Sequence, residues 1–295
     1  MRRSKTSAFG TTGRLGHDAR KFYSQRLYQD LEVLPEETSE TDERILEQVN
    51  VIHCADSRSM HHLPDRSVHL MITSPPYNVG KEYDDDLSLQ EYIVLLTDVL
   101  SEVYRVLVNG GRMCVNIANV GRKPYIPLHM YLTQVALDAG FLMRGEIVWD
   151  KGASAGTSCA WGSWQSARNP TLRDVHEYVL VFSKGNYRRT TGQHDSISRD
   201  EFLECSKSVW RFSSARATKY KHPAPFPVEL PRRLIHFYSF ENDVVLDPFM
   251  GSGTTAEAAI LSNRRYVGYE VNEEYVNISL ERLRDLSFSN SNEHK

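Results

Sequence analysis

The chain has 295 residues, 25% of them charged and 40% hydrophobic, with a formal net charge of −3 at pH 7. That composition fits one large α/β core with a smaller inserted piece, and it excludes fibrous and low-complexity classes. No apolar run approaches a membrane span or a secretory signal, and four scattered cysteines (Cys54, Cys114, Cys159, Cys205) form no CxxC pair, which argues against a disulfide framework or a zinc knuckle and suits a reducing cytoplasm.

In chain order, residues 1–49 read as a polar arm. Its first thirty residues are basic (Arg2, Arg3, Lys5, Arg14, Arg20, Lys21, Arg26), and an acidic patch follows at 36–43. Val51-Ile52-His53-Cys54 and Val68-His69-Leu70-Met71-Ile72-Thr73 are continuous apolar runs, the pattern of parallel strands buried on both faces. Helical spacing of apolar residues predicts a helix over 88–108, stopped by Asn109-Gly110-Gly111. A strand at 112–117, a helix at 127–139 and a strand at 141–149 come next. A Gly-, Ser- and Trp-rich segment at 151–170 breaks the alternation, a strand at 177–182 restores it, and 184–222 is irregular and polar. Then come helix 228–240, strand 243–246, helix 254–261, strand 266–269 and a closing helix after Asn272. Alternating strands and helices predict a doubly wound α/β sheet.

Open α/β sheets bind ligands at the carboxyl ends of their strands, so the residues just beyond each strand matter most. Val244-Val245-Leu246 runs into Asp247-Pro248-Phe249-Met250-Gly251-Ser252-Gly253-Thr254-Thr255, a tight glycine turn opening a helix. Glycines allow close backbone approach to a ligand, and the helix start offers unpaired N–H groups. No lysine follows the second glycine, so a phosphate-cradling loop is disfavoured. Glu270 ends the next strand, some twenty residues on, where an acid grips ribose hydroxyls; the alternative is a surface glutamate capping the helix at Asn272.

The other informative strand end is Thr73-Ser74-Pro75-Pro76-Tyr77-Asn78. Two prolines remove backbone donors and fix φ, leaving carbonyls without partners. Ser74 and the Pro75 carbonyl can accept hydrogen bonds from a planar NH₂ group while Tyr77 stacks on the ring carrying it. The plainer reading is a strand-ending turn.

The proline loop followed by the glycine turn resembles the beta-class DNA amino-methyltransferases of restriction–modification systems, over about residues 50–280. Three more segments agree: Asp56, where the family's acid contacts the cofactor's adenine; His176-Glu177-Tyr178-Val179-Leu180-Val181-Phe182 as a late strand; and His222-Pro223-Ala224-Pro225-Phe226-Pro227, like the segment that closes over the cofactor's methionine end. The resemblance implies a seven-stranded, mostly parallel methyltransferase sheet, with a catalytic half at 50–183, a target-recognition insert at 184–221 and a cofactor half at 222–295. It implies S-adenosyl-L-methionine held by Asp56, Thr73, His222, Asp247, Phe249, Gly251, Ser252, Gly253, Thr254 and Glu270, with Ser74, Pro75, Pro76 and Tyr77 catalytic and no metal. Double-stranded DNA is the implied partner, a cognate restriction endonuclease shares the site without forming a stable complex, and the protein acts as a monomer or homodimer.

Serine before Pro-Pro resembles the subgroup that methylates cytosine N4, while adenine N6 enzymes more often carry an acid or amide there. Some cytosine-modifying relatives use an aspartate where this chain has Asn116, which leaves the proton acceptor unassigned; bulk water after methyl transfer is sufficient in principle. No cysteine lies in a Pro-Cys loop of the kind ring-carbon methylation needs. Lys207, Arg211, Lys219 and Lys221, interleaved with Tyr187, Trp210, Phe212 and Tyr220, are expected to meet DNA phosphates, although solvated basic loops read the same way. Trp161 and Trp164 are candidates for the target cleft or for covering a sheet edge. The basic arm is either a DNA clamp or a dimer strap. Two readings from other classes remain: a catalytically inactive DNA-binding relative, and a methyltransferase for protein or small-molecule nitrogens.

Overall fold

Consecutive residues of the central strands enter two different hydrophobic clusters: Met71, Met113 and Val115 lie in one, Leu70, Ile72 and Cys114 in the other. Side chains alternate across a pleated strand, so this sheet is buried on both faces, and the apolar runs are continuous for that reason. The computed structural model describes residues 23–28, 38–77, 86–152, 162–192, 194–214 and 226–292. Residues 1–36 form a unit of their own, of which Arg26–Tyr28 is a single 3-10 turn with the Tyr23 and Tyr28 rings edge to face at 5.2 Å.

In the second unit the strands are β1 (Val51–Cys54), β2 (Val68–Thr73), β3 (Leu107–Ile117), β4 (Val120–Gly121), β5 (Tyr125–Ile126), β6 (Phe141–Asp150), β7 (His176–Lys184), β8 (Val209–Arg211), β9 (Val244–Asp247) and β10 (Arg265–Glu270). The helices are α1 (Leu89–Val106), α2 (Leu128–Asp138), α3 (Arg199–Cys205), α4 (Glu229–Tyr238), α5 (Thr254–Leu261) and α6 (Glu273–Asn292). The main sheet runs β1-β10-β9-β2-β3-β7-β6-β8, and β4 and β5 form a separate hairpin. From β1 to β3 every neighbour is parallel; β7 is antiparallel to both β3 and β6, and β8 is parallel to β6. Helices α1 and α2 cover one face, α4 and α5 the other. Among the described residues no helix is long and apolar enough to cross a membrane.

The α/β reading holds, with three differences. Among the described residues the sheet has eight strands, where seven were expected. The addition, β8, lies inside the segment expected to be irregular, and Trp210 at its middle is buried, so it is not free to meet DNA. Three residues are too few for a period-two pattern to show. Second, β3 begins at Leu107, and the expected helix terminator Asn109-Gly110-Gly111 lies within it. Gly110 sits at φ +73°, and a Cβ there would stand 2.4 Å from the Arg188 carbonyl oxygen, so glycine serves a strand irregularity rather than a helix stop. Third, Ser198 opens the short helix α3 with a reciprocal capping box to Glu201.

Basic residues at the start of the expected insert are structural. Lys184 Nζ donates to the carbonyls of Arg105 (3.2 Å) and Leu107 (2.7 Å), satisfying the end of α1. Arg189 is buried against Asp243.

Candidate active site

The carboxyl ends of the parallel strands open into a cavity of about 840 Å³, within the usual span of small-molecule sites. One wall carries Asp56, Phe249, Gly251, Ser252, Thr254 and Glu270; the other carries Ser74, Pro75, Pro76, Tyr77, Asn116 and Glu177. The strand ends thus bring the two motifs to one space, although they are far apart in sequence.

On the first wall, Glu270 accepts from the Gly251 N–H and from the Asn272 N–H, both at 2.9 Å. It shapes the glycine turn and the start of α6 while facing the cavity, so the two roles weighed for it coexist. The Asp56 carboxylate pairs with Arg58 (Nη2 to Oδ2, 2.6 Å), and those hydrogen bonds hold its carboxyl below the usual range. Gly251 takes a left-handed φ of +51° on the cavity wall.

Three residues expected to touch a cofactor do not line the cavity. Asp247 is 1% exposed, and its carboxylate is fully engaged inside the protein. Thr73 Oγ1 donates to Oδ1 (2.6 Å), the Phe249 N–H to the same oxygen (3.0 Å), and Thr255 Oγ1 to Oδ2 (2.6 Å). Burial pushes this carboxyl up to about 6, against the lowering effect of those donors. Thr73 is consumed by the same bond. Gly253 stands at φ +78° as the residue before α5, where a Cβ would press on Ser279. Thr73 and Asp247, at the ends of β2 and β9, and Gly253, just before α5, thus build the wall from behind. His222 lies outside the described residues.

The second wall contains a network that the sequence only half reveals. Ser74 Oγ lies 3.0 Å from Tyr77 Oη, which donates to Glu177 Oε2 at 3.2 Å. The Asn116 amide donates to the same Glu177 oxygen at 2.5 Å and reaches Tyr77 Oη at 3.1 Å. Lys151 Nζ pairs with Glu177 Oε1. Asn116 and Glu177 are both buried, and among the described residues Asn116 Oδ1 has no hydrogen-bond partner. Burial, then the charge of Glu177, drives the Tyr77 phenol well above its ordinary value. In the sequence Glu177 reads only as part of a strand; an acid opening an apolar strand is the available signal.

The basic residues expected to meet DNA divide. Lys207 is exposed and paired with Glu204 at 2.5 Å, and Arg211 is exposed and paired with Asp150 at 2.8 Å. Lys219, Lys221, Tyr220 and Trp161 lie outside the described residues. Tyr187 and Trp164 are exposed, whereas Phe212 stacks on Trp149 at 5.2 Å.

The chain is similar to known proteins. A family model described as DNA methylase matches residues 68–281. The type II methyltransferase M.MjaI of Methanocaldococcus jannaschii is 30% identical over 270 residues, covering 77% of this chain and 89% of that one. The DNA adenine methyltransferase YhdJ of Escherichia coli is 29% identical over 252 residues, 80% of this chain and 83% of that one. A Thermus thermophilus protein solved in complex with S-adenosyl-L-methionine superposes with a TM-score of 0.63 at 29% identity, over 78% of this chain and 93% of that one.

Proposed function

The chain belongs to the DNA methylase family, and from that premise we propose that it moves a methyl group from S-adenosyl-L-methionine to the exocyclic amine of a DNA base, N4 of cytosine. The observation that carries this is the single cavity with a glycine-and-acid wall facing a Ser-Pro-Pro-Tyr wall.

The residues present suit that donor. Glu270 keeps acceptor capacity for ribose hydroxyls after its two backbone bonds, because an ionised carboxylate has about four lone-pair sites. Phe249 offers an apolar surface, Asp56 an acceptor for an amino group, and Gly251 and Ser252 close backbone approach. When bound, S-adenosyl-L-methionine supplies an electrophilic methyl group on a sulfonium. Ser74 and the Pro75 carbonyl accept the two amine hydrogens, which pulls the nitrogen toward sp³ and localises its lone pair; positioning and electrostatics then supply the acceleration. The base must leave the helix stack to reach this wall. Lys207, Arg211, Lys219 and Lys221 meet phosphates, and a cognate restriction endonuclease shares the recognition sequence. Among the described residues no cysteine lines the cavity, and burial pushes the Cys114 thiol up, so ring-carbon attack through a thiolate has no support.

Serine before Pro-Pro favours cytosine N4, whereas the adenine-directed E. coli relative favours adenine N6. Mass spectrometry of nucleosides from DNA treated with the protein and methyl-labelled cofactor tests both: N4-methylcytosine is expected, N6-methyladenine changes the base, and 5-methylcytosine or unlabelled DNA removes the proposal. Ser74→Ala is expected to lower transfer roughly 10²-fold with cofactor binding kept.

A further inference from the structure

We propose that Glu177 is a positioning residue that turns Ser74 into a hydrogen-bond acceptor and then, through Tyr77, receives the proton the amine loses. This rests on the methyltransferase reading above.

The direction of the chain of bonds follows from donor counting. A carboxylate only accepts. Glu177 Oε2 takes the Asn116 amide hydrogen at 2.5 Å and the Tyr77 hydroxyl hydrogen at 3.2 Å, and Oε1 takes Lys151. Tyr77 has one hydroxyl hydrogen, and it is spent on Glu177. The 3.0 Å contact to Ser74 must therefore be donated by Ser74. The only hydroxyl hydrogen of Ser74 is spent in turn, and its oxygen presents lone pairs to any further partner. One faces the Asn116 amide at a long 3.4 Å; the other is left for an amine hydrogen. A neutral side chain in place of Glu177 fixes no such direction, and a serine turned the other way meets the amine donor to donor.

The sheet explains why the acid comes from β7. Asn116 near the end of β3 is registered opposite Val179, and Ile117 opposite Tyr178, so Glu177 falls just past the end of β3, beside the proline loop. An amide at position 116 cannot take up a proton, but the carboxylate it touches can.

The step balances. As the amine nitrogen bonds to the methyl carbon, sulfur keeps the electron pair of the broken S–C bond. The surplus N–H proton passes to Ser74 Oγ, the Ser74 hydrogen to Tyr77 Oη, and the Tyr77 hydrogen to Glu177 Oε2. One sulfonium charge and one carboxylate charge disappear together, leaving neutral methylated amine, thioether and carboxylic acid.

Two measurements test this. Single-turnover transfer to polymerase-amplified DNA from labelled S-adenosyl-L-methionine is expected to slow about 10²-fold in Glu177→Gln, with the KM for both substrates within about two-fold of wild type. Tyr77→Phe keeps the Glu177–Lys151 pair, covers the case of a misfolded Glu177→Gln, and is expected to slow on the same scale. The double variant is expected to be no slower than the slower single one, because both cut one chain. Neutron diffraction on the ligand-free protein is expected to place the Tyr77 hydrogen toward Glu177 and the Ser74 hydrogen toward Tyr77. A full rate in folded Glu177→Gln or in Tyr77→Phe, multiplicative losses in the double variant, or a Tyr77 hydrogen aimed at Ser74 overturns the proposal. Wild-type protein that labels no DNA overturns the methyltransferase reading instead, and the neutron result then decides the bond direction by itself.

Discussion

Thr73 Oγ1 donates to Asp247 Oδ1 at 2.6 Å, tying the strand that enters the proline loop to the strand that enters the glycine turn across 174 positions of chain. Thr255 and the Phe249 N–H complete the carboxylate's partners, so Asp247 is a buried clasp between the two walls.

Asp247→Ala leaves those donors without an acceptor in the interior, at about 1–3 kcal/mol for each buried group left unsatisfied. A lower Tm and weaker S-adenosyl-L-methionine binding are expected together. Thr73→Val, which removes one donor and keeps the shape, is expected to cost about 1 kcal/mol. Denaturation and calorimetry on both variants check this; an unchanged Tm in Asp247→Ala contradicts the clasp.

Glu270→Gln separates binding from stability. The side chain is only partly buried and faces the cavity, so cofactor affinity is expected to fall about tenfold or more while Tm moves little. Calorimetry giving wild-type affinity would place the ribose elsewhere.

Acid sensitivity is expected from His69. Its Nδ1 accepts the Val244 N–H at 3.0 Å, so the ring proton sits on Nε2, 2.9 Å from Thr41 Oγ1. Burial first, with Arg189 and Arg265 adding to it, lowers its pKa to about 4 despite nearby Asp243. The unfolded chain binds this proton below about 6.5 and the folded chain only near 4, so stability is full above that window and falls as pH drops through it, by roughly 3 kcal/mol at most. His53, lowered to about 4 mainly by burial, titrates in the same range. Denaturant melts between pH 7 and 4 should show a shallower slope in His69→Gln; an identical slope contradicts the assignment.

DNA binding should depend on salt through Lys207 and Arg211. Both are exposed, and their pairing with Glu204 and Asp150 is of the surface kind that gives way to a phosphate. Each change to alanine is expected to flatten the log–log salt dependence by about one unit. Fluorescence anisotropy across a salt series reads this, and an unaltered slope in the double variant returns the segment to ordinary surface.

The central strands and both cavity loops are legible in the sequence because each is a local signal: an apolar run of strand length, then prolines or glycines. What escapes depends on partners far along the chain. Strand β8 exists because residues 209–211 lie beside 148–150. Glu177 becomes part of the site only when β7 pairs with β3 and brings it to Asn116. Asp247 shows the opposite error. Its place after a strand marks it as a ligand contact, and nothing local announces that Thr73 and Thr255 claim both its oxygens.

The seam between β2 and β9, registered through Leu70 with Val245 and Met71 with Leu246, joins early chain to late chain. During synthesis from the amino end, β2 and β3 are available long before residue 245 has left the ribosome. Through that interval β2, whose six side chains are all buried in the finished protein, has one edge of main-chain donors and acceptors open on a largely apolar strand. Such an edge is a template for wrong partners, so the nascent chain is open to mispairing until β9 emerges, and its yield in a cell depends on how quickly the stretch between β3 and β9 is made.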